Sequence, residues 1–287
     1  MNRDFTLATY RKLLLTLQQS GYSFFTFEDW CLGKASGRYV ILRHDVDIKA
    51  AHSLAIAQIE SEMGIRATYY FRVVPQSNKP HIITAIAGLN HEIGYHYEDL
   101  SLFKGVQKSA LEHFKQQLTY FRQFYPVCTI CMHGSPTSKW DNRDLWKTNN
   151  YRDYGILGEP YFDFLTPKSP EGDFKEKTLY FTDTARMWDG DKYNVRDKIS
   201  QQLSVDSEQS TVNSEQLSSQ QLNNSTTQPT IHSTFDFIDW LQTNPVQNVI
   251  MITTHPQRWT NKPVEWLLEL VLQNAKNRIK RWIVRKG

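Results

Sequence analysis

The chain has 287 residues, with 33 Lys plus Arg against 30 Asp plus Glu and a formal charge of +3 at pH 7. Hydrophobic residues at 40% and aromatics at 13% suffice for a sizeable core, which excludes a wholly disordered chain, and no Lys/Arg block is dense enough to suggest a nucleic-acid footprint. Cys31, Cys128 and Cys131 are too few, and odd in number, for a disulfide framework, so a cytoplasmic location is expected.

In chain order, Leu7, Tyr10, Leu14 and Leu17 recur at helical spacing. No apolar run near the N-terminus is long enough for a signal peptide or a membrane span. Residues 1–35 therefore read as a helical extension packed on the domain formed by 36–287. Seven stretches of that domain read as short buried strands: 39–47 (YVILRHDVD), 67–73 (ATYYFRV), 91–97 (HEIGYHY), 129–134 (TICMHG), 154–159 (YGILGE), 179–184 (LYFTDT) and 248–255 (NVIMITTH). Helical patterns separate them, most clearly at 108–124 and 263–281.

Such alternation implies a parallel sheet with right-handed crossovers. Seven units closing on themselves give an α/β fold, a distorted seven-stranded (β/α) barrel. An open doubly wound sheet is the alternative, but no glycine-rich phosphate loop follows the first strand. Cys128 and Cys131 lie in a strand-like run with no second CxxC and read as core thiols. The basic C-terminal stretch KNRIKRWIVRK reads as a solvated helix face. Residues 200–230 are dominated by Ser, Gln, Asn and Thr, with an imperfect echo (VDSEQST, VNSEQLS) starting at Val205 and Val212. That composition cannot bury enough apolar surface to offset ordering, so a disordered insertion in a single domain is expected.

Polar groups cluster where the strands end. Asp45 and Asp47, two residues apart, share a strand face, with His44 beside them; His96, His133 and His255 close three other strands, and Asp183 lies in LYFTDT. In (β/α) barrels the chemistry sits at the carboxyl ends of the strands. Imidazole and carboxylate groups converging there are ligands for Zn²⁺ or a similar divalent ion, which uses about three protein ligands and leaves a position open for water. A leftover carboxylate serves as base and a histidine opposite as acid. The constellation reads as a metal-assisted hydrolase.

The order RHDVD, NHEIGYHYEDL, MHGSPTSKWDN and TTHPQRW resembles the polysaccharide deacetylase superfamily, whose members share a nodulation-protein-type deacetylase domain, over roughly residues 38–136 and 248–259. The resemblance implies a distorted seven-stranded barrel, a divalent metal that is often zinc, and removal of acyl groups from sugars or opening of related amides. It makes Asp45 the base, Asp47 and His96 metal ligands, and His255 the acid. Two departures stand out. The acidic pair is spaced D-x-D rather than adjacent, and the family's second metal histidine falls on Leu100. His133, an imidazole on the neighbouring strand, is expected to replace it, with Glu98 the rival.

Arg43, one layer deeper on the same face, is placed to keep the base ionised and oriented. Arg43, Trp140, Asp183, Arg186, Trp188 and Trp259 make up the expected substrate-facing set, the loop tryptophans as platforms for sugar rings. The expected partner is a carbohydrate or small acylated substrate. Two other readings compete. Leu100 favours a non-catalytic barrel of the same ancestry that binds a carbohydrate or nucleotide-sugar. A glycosidase would need two carboxylates roughly 5–10 Å apart, such as Asp45 with Glu159 or Asp183, and would leave the histidines idle.

Overall fold

The computed structural model describes residues 3–134, 138–165, 178–188, 231–244 and 249–284. The expected insertion at 200–230 lies outside these. The described strands are β1 (Ser23–Phe25), β2 (Tyr39–Val46), β3 (Thr68–Phe71), β4 (Glu92–Tyr97), β5 (Ile130–Met132), β6 (Thr178–Thr182) and β7 (Val249–Thr254). They form one all-parallel sheet in the order β5-β4-β3-β2-β7-β6, with β1 added alongside β2. The sheet curls into a half-barrel. Among the described residues no strand pairing joins β5 to β6, so the barrel is not closed.

Two strands differ from expectation. Residues 154–159 do not form one: a 3-10 turn spans Tyr151–Tyr154, Gly155 follows at φ 71°, and only Gly158 bridges to Thr129. Glu159 ends any extension, because its carboxylate accepts from the backbone N–H groups of Met132 (2.9 Å), Tyr161 (2.6 Å) and Phe162 (3.1 Å) and caps the turn beginning at Pro160. The seventh strand is instead β1, inside the segment read as helical. Its three residues pair with Tyr39, Val40 and Ile41.

The described α-helices are α1 (Leu7–Gln19), α2 (Phe27–Cys31), α3 (Ala50–Glu62), α4 (Pro80–Gly88), α5 (Asp99–Leu102), α6 (Gln107–Phe121), α7 (Thr234–Thr243) and α8 (Pro263–Val284). Three of them, α1, α2 and α7, start on side-chain caps. Thr6 Oγ1 accepts from Thr9 N at 3.1 Å, and Thr26 with Asp29 and Ser233 with Asp236 form capping boxes. None of the described helices is long and apolar enough to cross a membrane.

Alternation along β2 sorts its side chains. Val40 and Leu42 join the main apolar core with Ile56, Ile93, Tyr95 and Phe114, while Tyr39 and Ile41 join Tyr70, Cys131 and Met251 in a second cluster. Each fully buried side chain of this size contributes about 1.5–3 kcal/mol. Arg43 and Asp45 continue the face of Ile41, and His44 takes the other. His44 Nε2 lies 2.8 Å from Glu60 Oε1 and Nδ1 lies 2.6 Å from Thr254 Oγ1. Glu60 also accepts from Tyr10 (2.5 Å) and Tyr69 (2.6 Å). His44 thus ties the sheet to the helices and does not join the aspartates.

Candidate metal centre

β2 ends at Val46, and Asp47 turns back over the strand end with its N–H donating to Asp45 O at 3.0 Å. This brings Asp47 Oδ1 to 3.6 Å from His96 Nε2 and 3.4 Å from His133 Nε2. One ligand atom from each of Asp47, His96 and His133 lies within 4.8 Å of the others, so the three could hold a metal ion. The surroundings fit that use. Asp47 Oδ1 is buried with no hydrogen-bond partner. His96 Nδ1 is 2.9 Å from Cys131 O, which can only accept, so Nδ1 carries the proton and Nε2 presents a lone pair. His133 Nδ1 lies 3.2 Å from Glu98 Oε2, a close contact without hydrogen-bond geometry, and its Nε2 faces Asp47.

Glu98 stands outside the group of adjacent ligand atoms, beside His133. Arg72 holds both its oxygens, at 2.9 and 2.7 Å. Burial would push the Glu98 carboxyl up, but His133 and Arg72 outweigh it and hold the group at about 2. Leu100, where the family pattern has a histidine, is 3% exposed in the main apolar core, so its side chain serves packing.

Asp45 lies beside this group, its Oδ2 3.7 Å from His96 Nε2. Arg43, 1% exposed, grips it with Nε at 2.9 Å and a second nitrogen at 2.7 Å. Burial opposes ionisation of Asp45, yet Arg43 and then His96 outweigh it and hold the carboxyl below its ordinary range. Asp47 is held well below its ordinary range: burial opposes its ionisation, and the imidazoles of His96, His133 and His255 around it outweigh this. Asp45, His96 and Cys131 form a second group of adjacent ligand atoms, but both oxygens of Asp45 are already bonded to Arg43, so this group suits a metal less well.

Across the site, His255 Nε2 is 3.9 Å from Asp47 Oδ2. Asp183, fully buried, fixes the ring: its Oδ1 is 2.6 Å from His255 Nδ1, and its Oδ2 accepts from His255 N at 3.0 Å and from Trp259 Nε1 at 2.8 Å. Arg258 adds 2.5 and 2.7 Å contacts to Asp183. Burial raises the Asp183 carboxyl, and Arg258 and His255 more than reverse this, to about 2.

Of the expected substrate-facing residues, Trp140 borders a cleft of about 510 Å³, with Glu98, Ser101, Leu102, Lys104, Ser138 and Lys139. The others need correcting. Arg43 is buried in its pair with Asp45, and Asp183 is buried behind His255. Trp188, 4% exposed, donates to Thr234 Oγ1 at 3.0 Å, and Trp259, 1% exposed, packs on Phe5 and Tyr10. Neither offers a face to a sugar. Arg186 lies over the rings of Phe5 and Trp266, at 5.1 and 5.0 Å.

Sequence reasoning missed Arg72, Arg258 and Gln257, whose Nε2 donates to Asp47 Oδ2 at 3.3 Å. Gln257 and Arg258 stand two and three residues after His255, the one signal available for them. Searched against models of protein families, against curated proteins and against solved structures, the chain matches none.

Proposed function

We propose that the chain is a metal-dependent hydrolase of the polysaccharide deacetylase kind, a distorted (β/α) barrel that removes an acyl group from a sugar or opens a related amide. One observation carries the reading: the convergence of Asp47, His96 and His133 at the carboxyl ends of β2, β4 and β5, with an ionised Asp45 on one side and an anchored His255 on the other. Asp47, His96 and His133 would hold the metal, and zinc suits one carboxylate with two imidazoles. A bound divalent ion supplies Lewis acidity toward the acyl carbonyl and the attacking water.

The chain's own groups then divide the proton work. Asp45, oriented by Arg43, takes the proton of the attacking water as its oxygen bonds to the acyl carbon. The bond from that carbon to the sugar nitrogen or oxygen breaks, and protonated His255 gives its Nε2 proton to the leaving atom. Asp183 and Arg258 hold the imidazole so that Nε2 faces Asp47.

The test joins metal analysis of protein purified without chelators to a screen for acetate release from N- and O-acetylated sugars and simple amides. Wild type should retain metal and release acid, and Asp47→Ala or His96→Ala should lose both while staying folded. Wild-type protein without metal, unmoved in melting or activity by Zn²⁺, Co²⁺, Ni²⁺ or Mn²⁺, would end this reading in favour of a non-catalytic binding barrel.

A further inference from the structure

Helix α8 carries its polarity the wrong way round. Glu269, Gln273 and Asn277, spaced one turn apart, are its buried face, at 6%, 6% and 3% exposure. They are bound there by polar contacts: Lys49 Nζ lies 3.6 Å from Glu269, Gln273 donates to Asn277 Oδ1 at 2.8 Å, and Asn277 donates to Ala185 O at 3.2 Å. Val264, Leu267, Leu268, Val271 and Leu272 are 55–70% exposed. Their spacing, i, i+3, i+4, i+7 and i+8, is that of a single apolar stripe. Surface helices normally bury such a stripe and show their polar face to water.

Charge says what could cover it. After Glu269 the chain has no acidic residue, and Lys276, Arg278, Lys280, Arg281, Arg285 and Lys286 crowd its end. Without these six, 27 basic residues would face 30 acidic ones, and the formal charge would change from +3 to −3. We propose that α8 docks the protein on an anionic lipid surface, its apolar stripe in the interface and the exposed Lys276 and Arg278 among the headgroups. Its 22 residues, about 33 Å long, would lie in the plane of the surface rather than cross it.

A second copy of the chain would cover the stripe as well but leave the cations without acidic counterparts. On the same stretch each copy has two acidic residues, Glu265, already paired with Lys262 at 2.9 Å and with His52 at 3.2 Å, and Glu269, buried beside Lys49. Anionic lipid satisfies both features at once.

The test is co-sedimentation of the full chain with vesicles of phosphatidylcholine alone or with about one quarter phosphatidylserine. Binding should be roughly tenfold stronger on the anionic vesicles and should be released by roughly 1 M salt, where screening acts within about 3 Å. Leu267→Glu combined with Val271→Glu should lower it by about tenfold or more at unchanged melting temperature, because both side chains are exposed. Three results would overturn the proposal: no preference for anionic vesicles, wild-type binding by the double variant, or a lipid-free dimer that this variant converts to monomer. The last would make a second copy the occupant.

Discussion

Replacing Glu98 by Gln separates a ligand from a ligand's support. Glu98 Oε2 stands 3.2 Å from His133 Nδ1, and Arg72 bonds both carboxylate oxygens in a side chain only 6% exposed. If His133 binds metal through Nε2, the carboxylate behind it fixes the tautomer and raises the basicity of the ring. Glutamine keeps the size and one acceptor oxygen, but loses the charge and cannot accept from Arg72 with both terminal atoms. Loss of such outer support costs about 10–100-fold in metal affinity, which is about 1.4–2.8 kcal/mol.

His133→Ala removes a ligand atom outright and should cost more. Zinc affinity, measured by competition with a chelator, gives the magnitude. The visible spectrum of the Co²⁺ form gives the identity, because it follows the ligand set and changes little when only the outer support changes. The reasoning is refuted if Glu98→Gln weakens binding as far as His133→Ala and also alters the cobalt spectrum; Glu98 would then be the ligand. Affinity unchanged in both variants would remove His133 and Glu98 from the metal altogether.

Other outcomes follow from single contacts. Arg43→Met leaves Asp45 buried without its bidentate partner, at a cost of about 3–5 kcal/mol; a melting point lowered by less than roughly 6 °C would contradict this. Asp183→Asn should leave metal content unchanged and lower turnover by about 10²–10⁴-fold, since the acid His255 loses its anchor; full activity would show that His255 is not the acid. Glu92 is pushed by burial from 4.5 up to about 7, so the folded state keeps this proton to higher pH than the unfolded chain. Stability should therefore fall as pH rises between those two values, and Glu92→Gln should flatten the fall in melting temperature across that window. Joining residue 199 to residue 231 through a short Gly-Ser linker should leave melting nearly unchanged, because closure entropy grows slowly with loop length; a drop of several degrees would mean that 200–230 packs on the fold.

The legible parts of the fold were those that local pattern decides. β2 and β7 each open on a run of four apolar residues, 39–42 and 249–252, and their observed bounds, Tyr39–Val46 and Val249–Thr254, lie within a residue of the expected ones. The run YGILGE has the same apolar character, but a buried carboxylate three-fold bonded to backbone N–H groups bends it away. Tyr161 and Phe162 are local donors of a cap, and only Met132 comes from a distant strand, so the cap at Pro160 was missed and the Met132 contact could not be read. β1 was illegible for the opposite reason: Ser23-Phe24-Phe25 is too short to show alternation, and its partner lies sixteen residues on, at Tyr39–Ile41.

At the site, sequence placed groups at strand ends without their relative heights, and height is what decides a ligand set. Sequence spacing made Glu98 and His133 rivals for the place left by Leu100. The parallel register of β4 and β5 sets His96 opposite Cys131 and Tyr97 opposite Met132. One step further it puts residue 98 opposite residue 133, and His133 N indeed donates to Tyr97 O at 2.8 Å. Side chains on neighbouring strands at one height meet directly. The imidazole has two nitrogens, so it can turn one to Asp47 and give the other to Glu98. Register therefore sets the two side by side, His133 turned toward Asp47 and Glu98 behind it, where Arg72, arriving from the end of β3, pairs with Glu98 at 2.7 Å.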